Sequence, residues 1–221
     1  MGQGDDWYRN ERWDPDEEKD FLRRVGRARS DFNKAEALRI KAVYLIASRD
    51  PLRIRGAMAL LERALTEFPA HVERANCHAL LGQGHDALGE MDSAIQSYLR
   101  ALKLEKTTRS SGAWPGLARA VILRKRSDLY PELLDALADH ESEAALPGDK
   151  FVLHAARAVV AFEKGDWLKA GRNAAAALGW AETRDSGMSK HKDLGLVSPD
   201  DPLIPRLRNL LEDPRVTEAI A

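Results

Sequence analysis

The feature that most constrains this chain is a set of small residues recurring at fixed offsets inside helical periodicity. Gly89 is followed by Ala94, Tyr98 and Ala101. Gly165 is followed at the same offsets by Ala170, Ala174 and Ala177, and Leu52 by Ala57, Leu61 and Ala64. Four Ala-Leu pairs, Ala64-Leu65, Ala101-Leu102, Ala136-Leu137 and Ala177-Leu178, are spaced by 37, 35 and 41 residues. Apolar residues recur every three or four positions and strand-like alternation is nearly absent, so these units are read as helices. A period of this length holding two helices predicts stacked helical hairpins, because one hairpin cannot bury its apolar face alone. Alanine and glycine suit the seam of such a hairpin, where backbones approach closely. Gly82 is assigned that role opposite the helix carrying Ala94 and Ala101, with Leu81, Ile95, Tyr98 and Leu102 filling the groove between hairpins.

The helix boundaries carry their own chemistry. Asp14-Pro15, Asp50-Pro51, Asp201-Pro202 and Asp213-Pro214 each place a capping carboxylate before a proline whose fixed φ suits the first turn. Gly89 and Gly165 follow helix ends, where a left-handed residue is wanted. Helices are therefore expected over 14–28, 31–48, 51–68, 70–87, 90–105, 112–126, 130–141, 149–164, 166–180, 202–212 and 214–220, with a loop over 182–201.

Residues 75–106 resemble a tetratricopeptide repeat. His78, Leu81, Gly82 and His85 stand where that family has Trp, Leu, Gly and Tyr, and Ala94, Tyr98 and Ala101 match its second helix. Lys106 replaces the closing proline, a place Pro69 fills in the preceding unit. Residues 151–181 are similar, with Gly165-Asp166-Trp167 and Ala170 in register. Units 38–69 and 112–141 are looser, and Tyr130-Pro131 breaks the pattern. The likeness covers about residues 35–181. The stretches Trp7-Tyr8-Arg9-Asn10 and His154-Ala155-Ala156-Arg157-Ala158 are also similar to a group of uncharacterised bacterial tetratricopeptide proteins, which carries no activity to transfer.

The resemblance implies an all-α, right-handed α-solenoid of about four helix-turn-helix repeats, with an N-terminal helical cap and a short C-terminal helix pair. Its expected organisation is a single domain over 1–221: a cap or arm over 1–30, repeats over 31–69, 70–106, 112–141 and 149–181, then a loop and helices over 182–221. It also implies a concave groove lined by first helices. Arg39, Ile46, Asn76, Gln83, Asp86, Arg119 and Glu163 fall at groove-facing positions. They do not form the clustered Lys and Asn set with which co-chaperone members grip a C-terminal carboxylate.

Other chemistry is thin. No phosphate-binding glycine loop followed by lysine, Gly-x-Ser-x-Gly elbow or His-Glu-x-x-His helix occurs. His71, Cys77, His78 and His85 suggest a metal, but His78 and His85 lie two turns apart, about 10.5 Å. Zinc–nitrogen bonds of about 2 Å cannot span that, so both are read as packing residues. No metal, cofactor or catalytic set is expected. Arg124-Lys125-Arg126 is read first as a complement to a helix C-terminus and second as a contact to an acidic partner or phosphate backbone. Lys190-His191-Lys192 is read as solvated loop.

Charge is balanced overall and uneven along the chain. The 221 residues carry a net charge of −1, with 31% charged and 44% hydrophobic residues, a globular composition. Residues 1–20 hold eight acids and three bases, and residues 21–60 hold ten bases and three acids. Trp7, Tyr8 and Trp13 gather in the acidic part, with Phe21 next to it. This segment is read as a cap over one end of the stack, with an arm that masks a basic surface as the alternative. A lone cysteine, Cys77, and a polar N-terminus suit a cytoplasmic protein. The longest apolar run, Ala42 to Ala47, is too short to span a bilayer, so no membrane partner is expected. The expected function is a non-catalytic scaffold binding another protein or peptide. A nucleic-acid-linked regulator using residues 21–60, a homodimer and an enzyme with a dispersed site are the alternatives.

Overall fold

The computed structural model describes residues 7–70, 73–105 and 110–221. Among them the secondary structure is helical, with eleven α-helices, two short 3-10 turns and no strand. The helices are α1 (Pro15–Gly26), α2 (Asp31–Ala47), α3 (Pro51–Glu67), α4 (Arg74–Ala87), α5 (Met91–Glu105), α6 (Trp114–Leu123), α7 (Tyr130–Asp139), α8 (Pro147–Glu163), α9 (Trp167–Ala181), α10 (Leu203–Leu211) and α11 (Pro214–Ile220). The chain groups into two compact units, Met1–Gly116 and Leu117–Ala221.

The capping device works at three of its four sites. Asp14 Oδ1 accepts from the Asp16 and Glu17 amides at 3.0 and 2.9 Å, and Asp50 Oδ1 from Leu52 and Arg53 at 2.9 and 3.0 Å. Asp213 Oδ1 accepts from Arg215 at 3.0 Å. The fourth is displaced: α10 begins at Leu203, so Asp201 lies one residue further out than a cap. Its carboxylate still accepts from the Leu203 amide at 2.9 Å. Gly89 and Gly165 take φ of 75° and 79°, as left-handed stops. Several expected ranges shift: 112–126 shortens to Trp114–Leu123, 14–28 ends at Gly26, 130–141 ends at Asp139, 149–164 begins at Pro147, and 70–87 is described from Arg74. At the end of α6 the chain turns at Lys125, φ 53°, and the Arg126 amide closes back on Val121 O at 3.0 Å.

In the first unit α2 packs on α3, α3 on α4 and α4 on α5. The repeated small positions form the seams: Ala57, Leu61 and Ala64 on α3, and Ala94, Tyr98 and Ala101 on α5, are all at most 2% exposed. A β-carbon on Gly82 would lie 2.5 Å from Tyr98 Cδ1, and one on Gly116 2.7 Å from its Oη. The Tyr98 ring thus occupies space that side chains at 82 and 116 would need.

In the second unit α8 pairs with α9, and both C-terminal helices pack on α9. Ala170, Ala174 and Ala177 are fully buried in that pairing. A β-carbon on Gly171 would meet Val216 Cγ1 at 2.9 Å, so the glycine seats α11. The 112–141 stretch departs most from the repeat. Turns at Ser127–Leu129 and Glu141–Glu143 flank α7, which is only ten residues long. Pro131 sits in its first turn, where its missing N–H is harmless.

Candidate functional site

Five of the seven residues expected at groove positions lie on two contacting helices of the first unit: Arg39 and Ile46 on α2, and Asn76, Gln83 and Asp86 on α4. Glu36, Arg39, Val43 and Ile46 follow one another at helical spacing and share a face of α2. Arg39 donates to Glu36 through Nε and Nη2 at 3.1 and 2.7 Å. Although burial works against it, that pairing raises the affinity of the guanidinium for its proton, with Glu73 of α4 adding to the effect. Asn76 Nδ2 donates to Glu73. Gln83 is exposed, Asp86 and Ile46 are half-buried, and Val43 is 38% exposed. The face therefore offers amide, charge and apolar groups together.

The other two residues lie in the second unit, and both are engaged within the chain. Arg119 Nη2 meets Asp201 Oδ2 at 2.8 Å, with Asp201 only 7% exposed. Glu163, the last residue of α8, accepts from the Tyr130 hydroxyl at 2.8 Å and pairs with Arg206 Nη2 at 3.3 Å. Arg206 Nη1 also donates to the Ile122 carbonyl. Burial, and then the Glu163 carboxylate, push the Tyr130 hydroxyl well above the ordinary tyrosine range.

The Glu163–Arg206 pair edges an open cavity of about 280 Å³. Its apolar part includes Phe162 and Leu210, and its polar part is Lys125, Glu163, Arg206 and Asn209. Lys125 comes from the basic triplet, whose three members separate in space. Arg124 is exposed, Arg126 forks onto Asp128 at 2.8 and 2.7 Å, and Lys125 turns at the cavity. Sequence reasoning reached Glu163 and Lys125 but missed Tyr130, Asp201, Arg206 and Asn209. The partners of Tyr130, Asp201 and Arg206 stand tens of residues away, Ile122 and Arg206 being 84 apart, and no local signal links such positions.

The N-terminal aromatic residues lie on the first unit. Trp7, Tyr8 and Trp13 pack against a core that includes Phe21, Leu38, Leu45 and Ala57. Trp13 Cδ1 would be 2.6 Å from a β-carbon on Gly56, so that glycine makes the seat for the indole. The centre of this contact is Lys41, 0% exposed. Its ammonium donates to Asn10 Oδ1 at 2.7 Å and Asn10 O at 3.1 Å, with Glu17 at 3.9 Å. The Trp13 and Phe21 rings lie 5.5 and 5.8 Å away, within cation–π range.

Cys77, His78 and His85 differ in environment. Burial pushes the Cys77 thiol up to about 12, so it is not a thiolate at neutral pH. Burial lowers the His78 imidazole, aided by Arg100 and Arg74. His85 Nδ1 is 2.8 Å from Glu90. His71 and Lys106 lie outside the described residues. No group of three or more His, Cys, Asp or Glu able to hold a metal occurs among the described residues, and no helix among them is long and apolar enough to cross a membrane.

No family model, curated protein or solved structure matches the chain.

Proposed function

We propose that this chain is a non-catalytic scaffold that binds another protein or a peptide, built as a tetratricopeptide-like right-handed solenoid. The observation that carries the reading is the exposed face of α2 and α4. The small seam residues are consumed in helix pairing, while Val43 and Gln83 are exposed beside the half-buried Arg39–Glu36 pair, giving mixed polar and apolar character. A surface carried on packed helices loses little conformational freedom when it binds.

The basic stretch gives less support to nucleic acid. Seven of the ten bases in 21–60 pair with carboxylates among the described residues: Arg23 and Arg24 with Asp20, Lys34 with Asp31, Arg39 with Glu36, Lys41 with Glu17, Arg53 with Glu11 and Arg55 with Glu90. Binding to phosphates would have to displace these pairs. The packing of Trp7 and Trp13 supports a cap over the first hairpin rather than a free arm. The buried Cys77 suits a reducing, cytoplasmic setting.

The test replaces Gln83 and Asp86 by lysine and compares affinity-captured partners from the native host. Arg119 is a poor choice, because it neutralises the buried Asp201 carboxylate and its loss would unfold as well as unbind. Partners lost from the Gln83→Lys/Asp86→Lys chain, with melting unchanged, support the face. An unchanged partner set overturns it.

A further inference from the structure

We propose that the cavity between the Lys125 turn, α8 and α10 binds an acidic side chain of a partner peptide together with an adjoining apolar side chain. The inference rests on the scaffold reading and assigns one recognition element to it. The cavity holds two cations, Lys125 and Arg206, against one carboxylate, Glu163. Glu163 is already satisfied by Tyr130 and Arg206, so it does not cancel Lys125. The side chains of Lys125 and Asn209 make no hydrogen bond or ion pair to another described residue. They are donors left over at the rim of a partly apolar hollow. Arg206 is anchored through both terminal nitrogens, by the Ile122 carbonyl and by Glu163. Its position is therefore set before anything binds, which reduces the ordering cost of recognition.

Size and polarity choose the occupant. At about 280 Å³ the cavity falls just below the range of whole-ligand sites, about 300–1,000 Å³. It accommodates part of a chain rather than a cofactor. Phe162 and Leu210 would take the apolar side chain, while Lys125 and Asn209 would donate to the carboxylate. A charge-assisted contact of this kind is roughly twice as strong as a neutral one. A neutral amide in place of the carboxylate keeps the shape and loses that gain.

The test titrates the ¹⁵N-labelled full-length chain with blocked peptides, acetyl-Leu-Glu-Leu-amide and acetyl-Leu-Gln-Leu-amide. Neither has a free terminal carboxylate. The Glu peptide is expected to move the resonances of Lys125, Phe162, Asn209 and Leu210, and to bind about tenfold tighter than the Gln peptide. Lys125→Gly is the first variant, since glycine suits the left-handed turn there and the fold is kept. Asn209→Ala, at an exposed position, is the second. Each is expected to weaken the Glu peptide by about fivefold or more and the Gln peptide by less, so that the preference between the two narrows. Equal affinity for the two peptides, or no shift at the cavity at millimolar peptide, overturns the proposal. Shifts confined to α2 and α4 would exclude the cavity while leaving the scaffold reading standing. That reading is decided separately by the Gln83 and Asp86 variants.

Discussion

Lys41 Nζ donates to Asn10 Oδ1 at 2.7 Å from a position with no solvent exposure, tying the N-terminal segment to the middle of α2. Removing one partner leaves a buried ammonium short of an acceptor, which costs about 1–3 kcal/mol. Asn10→Leu is expected to lower the urea midpoint accordingly. Lys41→Met removes the charge itself and keeps an unbranched chain in the pocket. It should cost much less than Asn10→Leu, or stabilise, because the desolvation penalty disappears with the charge. A Lys41→Met protein less stable than Asn10→Leu would contradict this.

The same lysine gives a pH dependence. Burial holds its ammonium below the ordinary lysine value, against the pull of Glu17. Between the folded value and the unfolded value, about 10.4, the unfolded chain binds more protons, so this residue's contribution to stability rises with pH. Below the folded value the penalty is present in full. Relative to Lys41→Met, the wild-type chain should therefore gain stability as pH is raised towards the unfolded value, about 10.4. Paired urea titrations check it; a gap that widens against wild type would have the wrong sign.

The Tyr98 ring lies where β-carbons on Gly82 and Gly116 would fall. Gly82→Leu should overpack the α4–α5 seam by about 1–3 kcal/mol and lower the melting midpoint. Tyr98→Ala in the same background frees that space. The double variant should be less destabilised than the sum of the singles by about 0.5–3 kcal/mol. Additive effects would show that the two positions do not share the seam.

Lys125 turns at φ 53°, a conformation that costs a residue with a β-carbon about 1–2 kcal/mol. Lys125→Gly should raise the urea midpoint by a part of that, since glycine also loses more freedom on folding. A lowered midpoint would mean that the lysine side chain contributes packing that outweighs the backbone cost.

Asp201 is buried and depends on Arg119 at 2.8 Å. Arg119→Ala leaves its carboxylate without a counter-charge and should cost about 3–5 kcal/mol, by the precedent of broken buried pairs. Asp201→Asn retains an oxygen to accept from the Leu203 amide and should cost less. Chemical denaturation of both variants distinguishes them.

Helices, their caps and their small-residue seams are legible in the sequence because each depends on neighbours a few positions apart. Asp14, Asp50 and Asp213 reach amides two or three residues on. Ala94, Tyr98 and Ala101 share one helix face, and their burial follows from that periodicity. Asp201 shows the limit. The same Asp-Pro pair reaches the amide two residues on, but its second carboxylate oxygen meets Arg119, 82 positions earlier in the sequence, which no local pattern announces.

Side-chain partners between distant segments were decided by the tertiary structure alone. Arg39 and Gln83 could be placed on helices, but not the consumption of Arg119 and Glu163 by Asp201, Tyr130 and Arg206. The acidic and basic halves of the first 60 residues were visible as a charge imbalance; that a buried lysine, bonded to Asn10 beneath Trp13, sits at their junction was not. Composition records how many charges a chain has and periodicity records which face they occupy. Which opposite charge meets them, and whether water is excluded when they do, is set by contacts between segments that the local pattern does not encode.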